Sequence, residues 1–453
     1  KEWQGSRILT YDVESNKLAN ASISNYIKNN PKAAGIDVFE ICTKETEKRI
    51  MATEDHPFWV QGRGWVPLRN ISIGDKVAVK PQQTAFKDDS GDKLLIRKEN
   101  ISKILPPTIK QERLFMELET LSLLPLNMKN KKLPILARLV GHIFGDGTLH
   151  PAYKNSEAQH LLRITYSGKE PELMEIQKDL NKLGFSGNWK ISRDFKESSC
   201  NFQKYGVKKI SGHSVYFKTG IVGLWALLRS LDAPLGSKAG NEVRVPKWIM
   251  DAPLSIKREF LASYFGSEAQ KIRMGVKSAE RIMIPFSKHE NLSGSAEGFC
   301  KDILSLLSEF RIKATTFKRH YTISRDGTRV IQYCIAISRS RKNIINFCRN
   351  VGYRYHPERE MQARLVLAYQ EMLQNAINKK TSLWDACSGC SDYTELKAGF
   401  GISTEEAKSL LRTKKMVKLS ANKTPSFKEW VASATAGLGD GLIWETVGSK
   451  RQV

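Results

Sequence analysis

The 453-residue sequence predicts an α+β protein whose middle is a tandem pair of similar α/β units. Three observations predict it. Two apolar helical stretches, Leu136–Gly147 and Phe260–Ala269, each carry small residues and each reach an acid, Asp146 and Glu268. The pattern of strands and helices that follows the first stretch recurs after the second. An apolar content of 41% is enough to build a folded core rather than a disordered tail.

The two helical stretches come first in the argument. Gly141 and Gly145 in one, with Ala262, Ser263, Gly266 and Ser267 in the other, are too small to fill a core but let two helix backbones approach closely. Such packing predicts that Asp146 and Glu268 meet at the helix ends. Paired carboxylates suit a hard divalent cation, and on a basic chain the expected metal-assisted substrate is a phosphodiester.

The repeat frames them. After Gly147, Leu161–Tyr166 reads as a strand, and Leu173, Ile176, Leu180 and Leu183 line an amphipathic helix closed by Gly184. Ser214–Phe217 then precedes a helix around Val222, Leu224, Leu227 and Leu231. In the second half, Ile282–Phe286 reads as strand and Phe299, Ile303, Leu306, Leu307 and Phe310 as a helix face. Cys334–Ile337 leads to the helix around Ile344, Ile345, Phe347 and Val351. The expected assembly is a pseudo-twofold monomer with the two acid-bearing helices as its seam.

These segments resemble the paired motifs of the LAGLIDADG homing endonucleases, best over Leu139–Gly147 and Leu261–Ala269. The second copy departs from the pattern, with Ala269 at the usual final glycine and Gly266 where an acid is common. The resemblance implies αββαββα repeats at 133–255 and 256–372 with saddle-shaped sheets over double-stranded DNA. It also implies Mg²⁺, with Mn²⁺ as substitute, held by Asp146 and Glu268 with the carbonyls of Gly145 and Ser267. Lys238 and Arg244 from the first half, and Arg354 or Arg359 from the second, would stand near the scissile phosphate, although the family's lysine is not cleanly reproduced. The implied activity is a double-strand break at a long, asymmetric target site. Arg163, Lys190, Arg193, Lys196 and Lys204 in the first repeat, and Lys313, Lys318, Arg319, Arg325 and Arg329 in the second, are the expected DNA contacts from the strand faces.

A second resemblance lies at the N-terminus. Ile41–Ile50 and Met51–Val60 read as paired strands around Ala52-Thr53-Glu54-Asp55-His56-Pro57, followed by Ile71–Val77 with its Gly74-Asp75 turn. This is similar to the first part of an intein's Hint-type splicing domain, over 1–80, with Thr53, His56 and Asp75 at matching places. Gly439–Val447, within 439–453, resembles that domain's returning strand. Residue 1 is Lys, and the end, Ser449-Lys450-Arg451-Gln452-Val453, lacks a penultimate His and terminal Asn, so the chain as written is not expected to splice. Flanking host segments, the exteins, would be its partners in a precursor.

Two connecting segments remain. Residues 81–132 are polar and charged and read as a linker or DNA-binding arm. Residues 373–438 read as a small helical domain, in which Tyr393–Arg412 has the outline of a helix-turn-helix with Ser403 as a cap. Lys397, Lys408, Arg412, Lys414 and Lys415 are its expected DNA contacts, although any small helical hairpin shows the same cap and glycine.

Composition bears on partners. Lys and Arg number 72 against 47 Asp and Glu, a formal charge of +25, which favours phosphate as counterion. No apolar run spans a bilayer and the first residues form no signal peptide, so an intracellular protein of cytoplasm or nucleus is expected. Seven cysteines make no disulfide framework. Cys387-Ser388-Gly389-Cys390 has metal spacing but no second Cys or His pair beside it, which leaves a turn or a local disulfide open. Two other readings stand beside the endonuclease: a sequence-specific DNA-binding protein that has lost catalysis, and a protein-splicing element alone.

Overall fold

The computed structural model describes residues 7–23, 35–86, 91–151, 153–154, 160–202, 206–323, 327–389, 392–400, 402–413 and 424–453. Contacts divide the chain into two units, each built from discontinuous segments. One comprises Lys1–Gln82, Met274–Ala279 and Arg364–Val453; the other comprises Gln83–Arg273 and Glu280–Ala363.

The unit formed by the chain's outer segments is organised by an antiparallel six-stranded sheet. Its order is Arg49–Thr53, Val38–Thr43, Ile443–Gln452, Lys76–Val79, Pro57–Val60 and Gly64–Pro67. Strand Ile443–Gln452 is central, pairing Lys450 with Ile41 on one side and Glu445 with Val77 on the other. Its first half buries consecutive residues, Ile443, Trp444 and Glu445, as a strand covered on both faces does, and Ile41, Val77, Ile443 and Val447 join Tyr369 and Trp430 in one cluster. Elsewhere in this unit, helices Tyr393–Phe400 and Thr404–Thr413 enclose a small apolar cluster of Leu383, Leu396 and Ala407.

The other unit centres on helices Leu133–Phe144 and Leu254–Glu268. After the first helix comes a sheet ordered Thr148–Leu149, Ile164–Ser167, Gly206–Thr219, Ser192–Phe202, with helices Glu170–Leu183 and Val222–Ser230. After the second comes a sheet ordered Ile282–His289, Arg329–Ile337, Ala314–Ile323, with helices Ser293–Glu309 and Arg341–Asn350. All strand pairs in both sheets are antiparallel, and in each the edge strand is the first of a long hairpin. The halves are not equal. The first sheet has a short leading strand, whereas the stretch following Glu268 leaves the unit at Met274–Ala279 and leads no sheet.

Two sequence expectations change here. Residues 81–132, expected as a linker or DNA-binding arm, hold buried structure: helices Lys98–Ser102 and Gln111–Thr120 bury Ile101, Leu114 and Leu118, and Leu123, Leu124 and Leu126 after them are buried too. These apolar residues are scattered through a charged stretch, so mean polarity conceals them. The expected boundary at 372 falls inside helix Pro357–Gly389, and the contacts divide the chain nine residues earlier in that same helix, between Ala363 and Arg364.

Candidate active site

The seam between the two central helices is set by absent side chains. A Cβ on Gly141 would lie 2.4 Å from the carbonyl oxygen of Phe260, and one on Gly145 would lie 2.3 Å from the Cβ of Ser267. Gly266, expected in this seam, serves a different contact: a Cβ there would lie 2.0 Å from the carbonyl oxygen of Arg354, which belongs to neither seam helix. Real Cβ atoms cannot occupy these places, so the backbones approach as closely as glycine allows. Ser267 Oγ lies 3.0 Å from Nδ1 of His142, adding a polar tie across the seam.

This packing brings four sequence-predicted groups together: Asp146, Glu268, Lys238 and Arg359. Glu268 Cγ sits 3.4 Å from where a Gly145 Cβ would be, immediately beside Asp146. Burial, reinforced by repulsion from Asp146, pushes the Glu268 carboxyl up to about 7, while Lys238 and Arg359 restrain the rise. Burial also raises Asp146, against the same two cations. Lys238 is lowered by burial and supported by both acids. Two carboxylates and two cations thus share one field, Glu268 half-buried and Asp146 exposed at its edge.

Each cation is anchored. Lys238 Nζ donates to the carbonyls of Ile143, at 3.3 Å, and Gly147, at 3.1 Å, at the end of the first seam helix. Arg359 donates to the carbonyl of Gly266 at 2.6 Å and that of Ser267 at 3.5 Å. Lys238, from the first half, joins Glu268 of the second in lining a recess of about 460 Å³ with Phe144, Tyr264 and Lys288. Arg359, from the second half, joins Asp146 of the first in a recess of about 340 Å³ with Lys169, Glu172 and His356.

Other expected site residues fall elsewhere. Arg244 makes a two-pronged ion pair with Asp302, both contacts at 2.7 Å, and is a structural cation rather than a catalytic one. Arg354 likewise belongs to a buried ionic knot, in which Glu259 receives Arg138, Arg258 and Arg354. Nearness in sequence to a functional cation did not distinguish these, because each is drawn off by an acid distant in the chain. Of the two expected backbone ligands, Ser267 shares its carbonyl with Arg359, and Gly145 is buried in the seam. Among the described residues, no group of three or more His, Cys, Asp or Glu gathers as a metal cage.

Thr53, His56 and Asp75 each hold local contacts among the described residues. The Thr53 hydroxyl donates to Asp55 at 2.6 Å, His56 is exposed, and Asp75 accepts from Arg63 and the Ser72 amide, each at 2.9 Å. Among the basic strand residues, Arg163, Lys190, Lys196 and Lys313 are exposed. Arg193 pairs with Glu170, Lys318 with Glu297 and Arg329 with Glu290. Arg319 lies over Phe317, Lys408 lies over Tyr393, and Lys397 is exposed. Lys204, Arg325, Lys414, Lys415 and Cys390 lie outside the described residues, as do the side chains of Arg412 and Cys387.

Four contributors carried no sequence signal. His142 is buried, and burial, aided by Lys238, drives its imidazole down to about 3, so it is neutral at the seam. Glu172 meets His356 at 3.2 Å, and His356 in turn accepts the Arg359 amide at 3.4 Å. Lys288 is 3% exposed on a strand. Each is joined to the site through residues far along the chain.

No family model matches the chain. It is 31% identical over 375 residues to DNA-directed RNA polymerase subunit Rpo1N of Methanocaldococcus jannaschii, covering 81% of this chain and 26% of that protein. It is 29% identical over 326 residues to tRNA-splicing ligase RtcB of Pyrococcus furiosus, covering 72% of this chain and 31% of that protein. A further match, 28% identical over 250 residues, is to Replication factor C small subunit of M. jannaschii, covering 53% of this chain and 12% of that protein. The chain thus spans about a quarter to a third of the first two relatives. Matches covering 81% and 72% of one chain must overlap, so one stretch resembles parts of two differently named proteins.

These names correct the sequence reading. They are those of an RNA polymerase subunit, an RNA ligase and a replication factor, and none names an endonuclease or a splicing element. Assignment to the LAGLIDADG endonucleases and to inteins is therefore withdrawn. With it go the double-strand break at a long DNA target, the extein partners, and the two alternatives of a decayed DNA-binding protein and a splicing element. The physical reason is that small residues on two helices specify a close junction ending in acids; that is a packing device and names no substrate. The RtcB relatives are enzymes. Among the described residues no helix is long and apolar enough to cross a membrane.

Proposed function

We propose that the chain is an enzymatic module for metal-assisted phosphoryl transfer at a polynucleotide backbone. The observation that carries this reading is the meeting of Asp146 and Glu268, between Lys238 and Arg359, at the end of a junction that leaves no room for a Cβ at Gly141 or Gly145. The residues fit a hard cation. Both acids are raised by burial and Glu268 by repulsion from Asp146, which a divalent ion placed between them would relieve. Asp146 and Glu268 would hold Mg²⁺, or Mn²⁺ in its place, leaving water and phosphate oxygens to complete the shell. The metal would neutralise charge developing on phosphorus.

This chain's own residues supply the rest. Lys238 and Arg359, each fixed by backbone carbonyls, present positive charge where a phosphate approaches and orient it between the acids. The excess of 25 positive charges raises the local concentration of a polyanion. The relatives' names, an RNA polymerase subunit and a tRNA-splicing ligase, are of proteins that work on RNA, which supports a polynucleotide as substrate.

Mn²⁺ binding followed by electron paramagnetic resonance tests the site, with end-labelled RNA and DNA strands as probes of turnover. Asp146→Asn and Glu268→Gln should each weaken Mn²⁺ binding on the order of 10- to 100-fold and abolish any cleavage or joining. Unchanged Mn²⁺ affinity in both variants would overturn the reading.

A further inference from the structure

Lys238 reaches the carboxylates from a loop, and a loop lysine has four rotatable bonds to lose before it can act. Its backbone is held in place by the other half of the unit. The ammonium of Lys288, on strand Ile282–His289, donates to the carbonyls of both Lys238 and Asn241. The next residue on that strand, His289, donates its amide to the carbonyl of Ala239 at 3.0 Å. Asn241 closes the loop on itself, donating to the carbonyls of Leu235 and Ser237 at 2.9 and 2.8 Å. A lysine that is 3% exposed and spends its donors on two carbonyls is costly unless the contact is used. No ion pair offsets its charge among the described contacts; burial lowers it to about 8, with Glu242 pulling the other way.

We propose that Lys288 is a positioning residue that clamps the loop Lys238–Asn241 and so delivers Lys238 to Asp146 and Glu268. The role rests on the phosphoryl-transfer reading for its purpose, but not for its geometry. Lys288 lines the same recess as Glu268, and the groups that perturb Glu268 are Asp146, Lys238 and Arg359. Its influence on the acid therefore runs through Lys238.

The test needs neither metal nor substrate. The full chain is labelled with ¹³C at the lysine Cε, the Lys238 signal is assigned with Lys238→Met, and its shift and line width are compared at pH 7 in wild type, Lys288→Met, Lys288→Ala and Lys288→Gln. Lys288→Met and Lys288→Ala should move the Lys238 signal toward the position and narrow line of a free lysine, because the loop that holds it loses the two carbonyl contacts. Lys288→Gln, which keeps hydrogen-bond donors without the charge, should restore the signal toward wild type, and serves if the methionine variant does not fold. An unmoved Lys238 signal in Lys288→Met and Lys288→Ala overturns the proposal. Because Mn²⁺ binding is measured separately, loss of the metal reading and loss of the clamp are distinguishable.

Discussion

Ser267 Oγ and Nδ1 of His142 lie 3.0 Å apart, tying the residue before Glu268 to the helix that leads into Asp146. The acids therefore meet through their helices, and the spacing of those helices governs the site. A methyl group at Gly145 would fall 2.3 Å from Ser267 Cβ and 2.9 Å from its Oγ. Gly145→Ala should therefore cost about 1–3 kcal/mol of stability and weaken Mn²⁺ binding. Gly294, in helix Ser293–Glu309, has nothing within 4 Å of its would-be Cβ, so Gly294→Ala should be neutral or stabilising and leave Mn²⁺ binding alone. Denaturant unfolding and a metal titration check both.

The charge state of Glu268 carries a pH signature. Its folded carboxyl lies near 7 against an ordinary 4.5, so between those values the folded state holds a proton that the unfolded state has released. Stability should accordingly be full below about 4.5 and fall as pH rises toward 7. Glu268→Gln should flatten this slope and exceed wild type at pH 8 on the order of 1–3 kcal/mol. Unfolding midpoints from pH 4 to 8 measure it. A wild-type curve with no fall across that window would refute the assignment.

Glu259 behaves in the opposite sense. It is 4% exposed and surrounded by Arg138, Arg258 and Arg354, whose attraction outweighs burial and takes the carboxyl down to about 2. The stability it contributes is present above 4.5 and should be lost as pH falls toward 2. Glu259→Ala takes the acid from Arg258 and one of two from Arg138, which keeps Asp179, and from Arg354, which keeps Glu360, and should cost about 3 kcal/mol. Differential scanning calorimetry at pH 7 and pH 3 should show the gap between variant and wild type narrowing at the lower pH.

Arg244 separates structural from catalytic cations. Its partner Asp302 is 9% exposed and also accepts from the Val245 amide at 3.2 Å. Arg244→Met should leave that carboxylate short of donors, costing about 1–3 kcal/mol, while Mn²⁺ affinity stays at the wild-type value. Lower Mn²⁺ affinity in this variant would return Arg244 to the site.

Much of the site could be read from the residue order because helix periodicity and residue size are local properties. Gly141, Gly145 and Ser267 announce a close helix junction, and the acid beside each end is read from the same stretch, whereas Gly266, expected in that junction, packs against the Arg354 backbone instead. Strand order, the choice among basic residues and the identity of the substrate were not legible. Lys238 and Arg244 look alike in sequence, and what separates them is that Asp302 captures one while helix-end carbonyls hold the other beside the acids. Lys288, Glu172 and His356 gave no signal, since each gains its role from a partner brought near by folding. The leucines between 81 and 132 were hidden by the charges around them, and folding buries them both within helix Gln111–Thr120 and in the chain that follows it. Amino-acid order settles which backbones can touch; long-range burial and charge pairing settle which side chains are left to do chemistry, because both depend on neighbours that the order does not name.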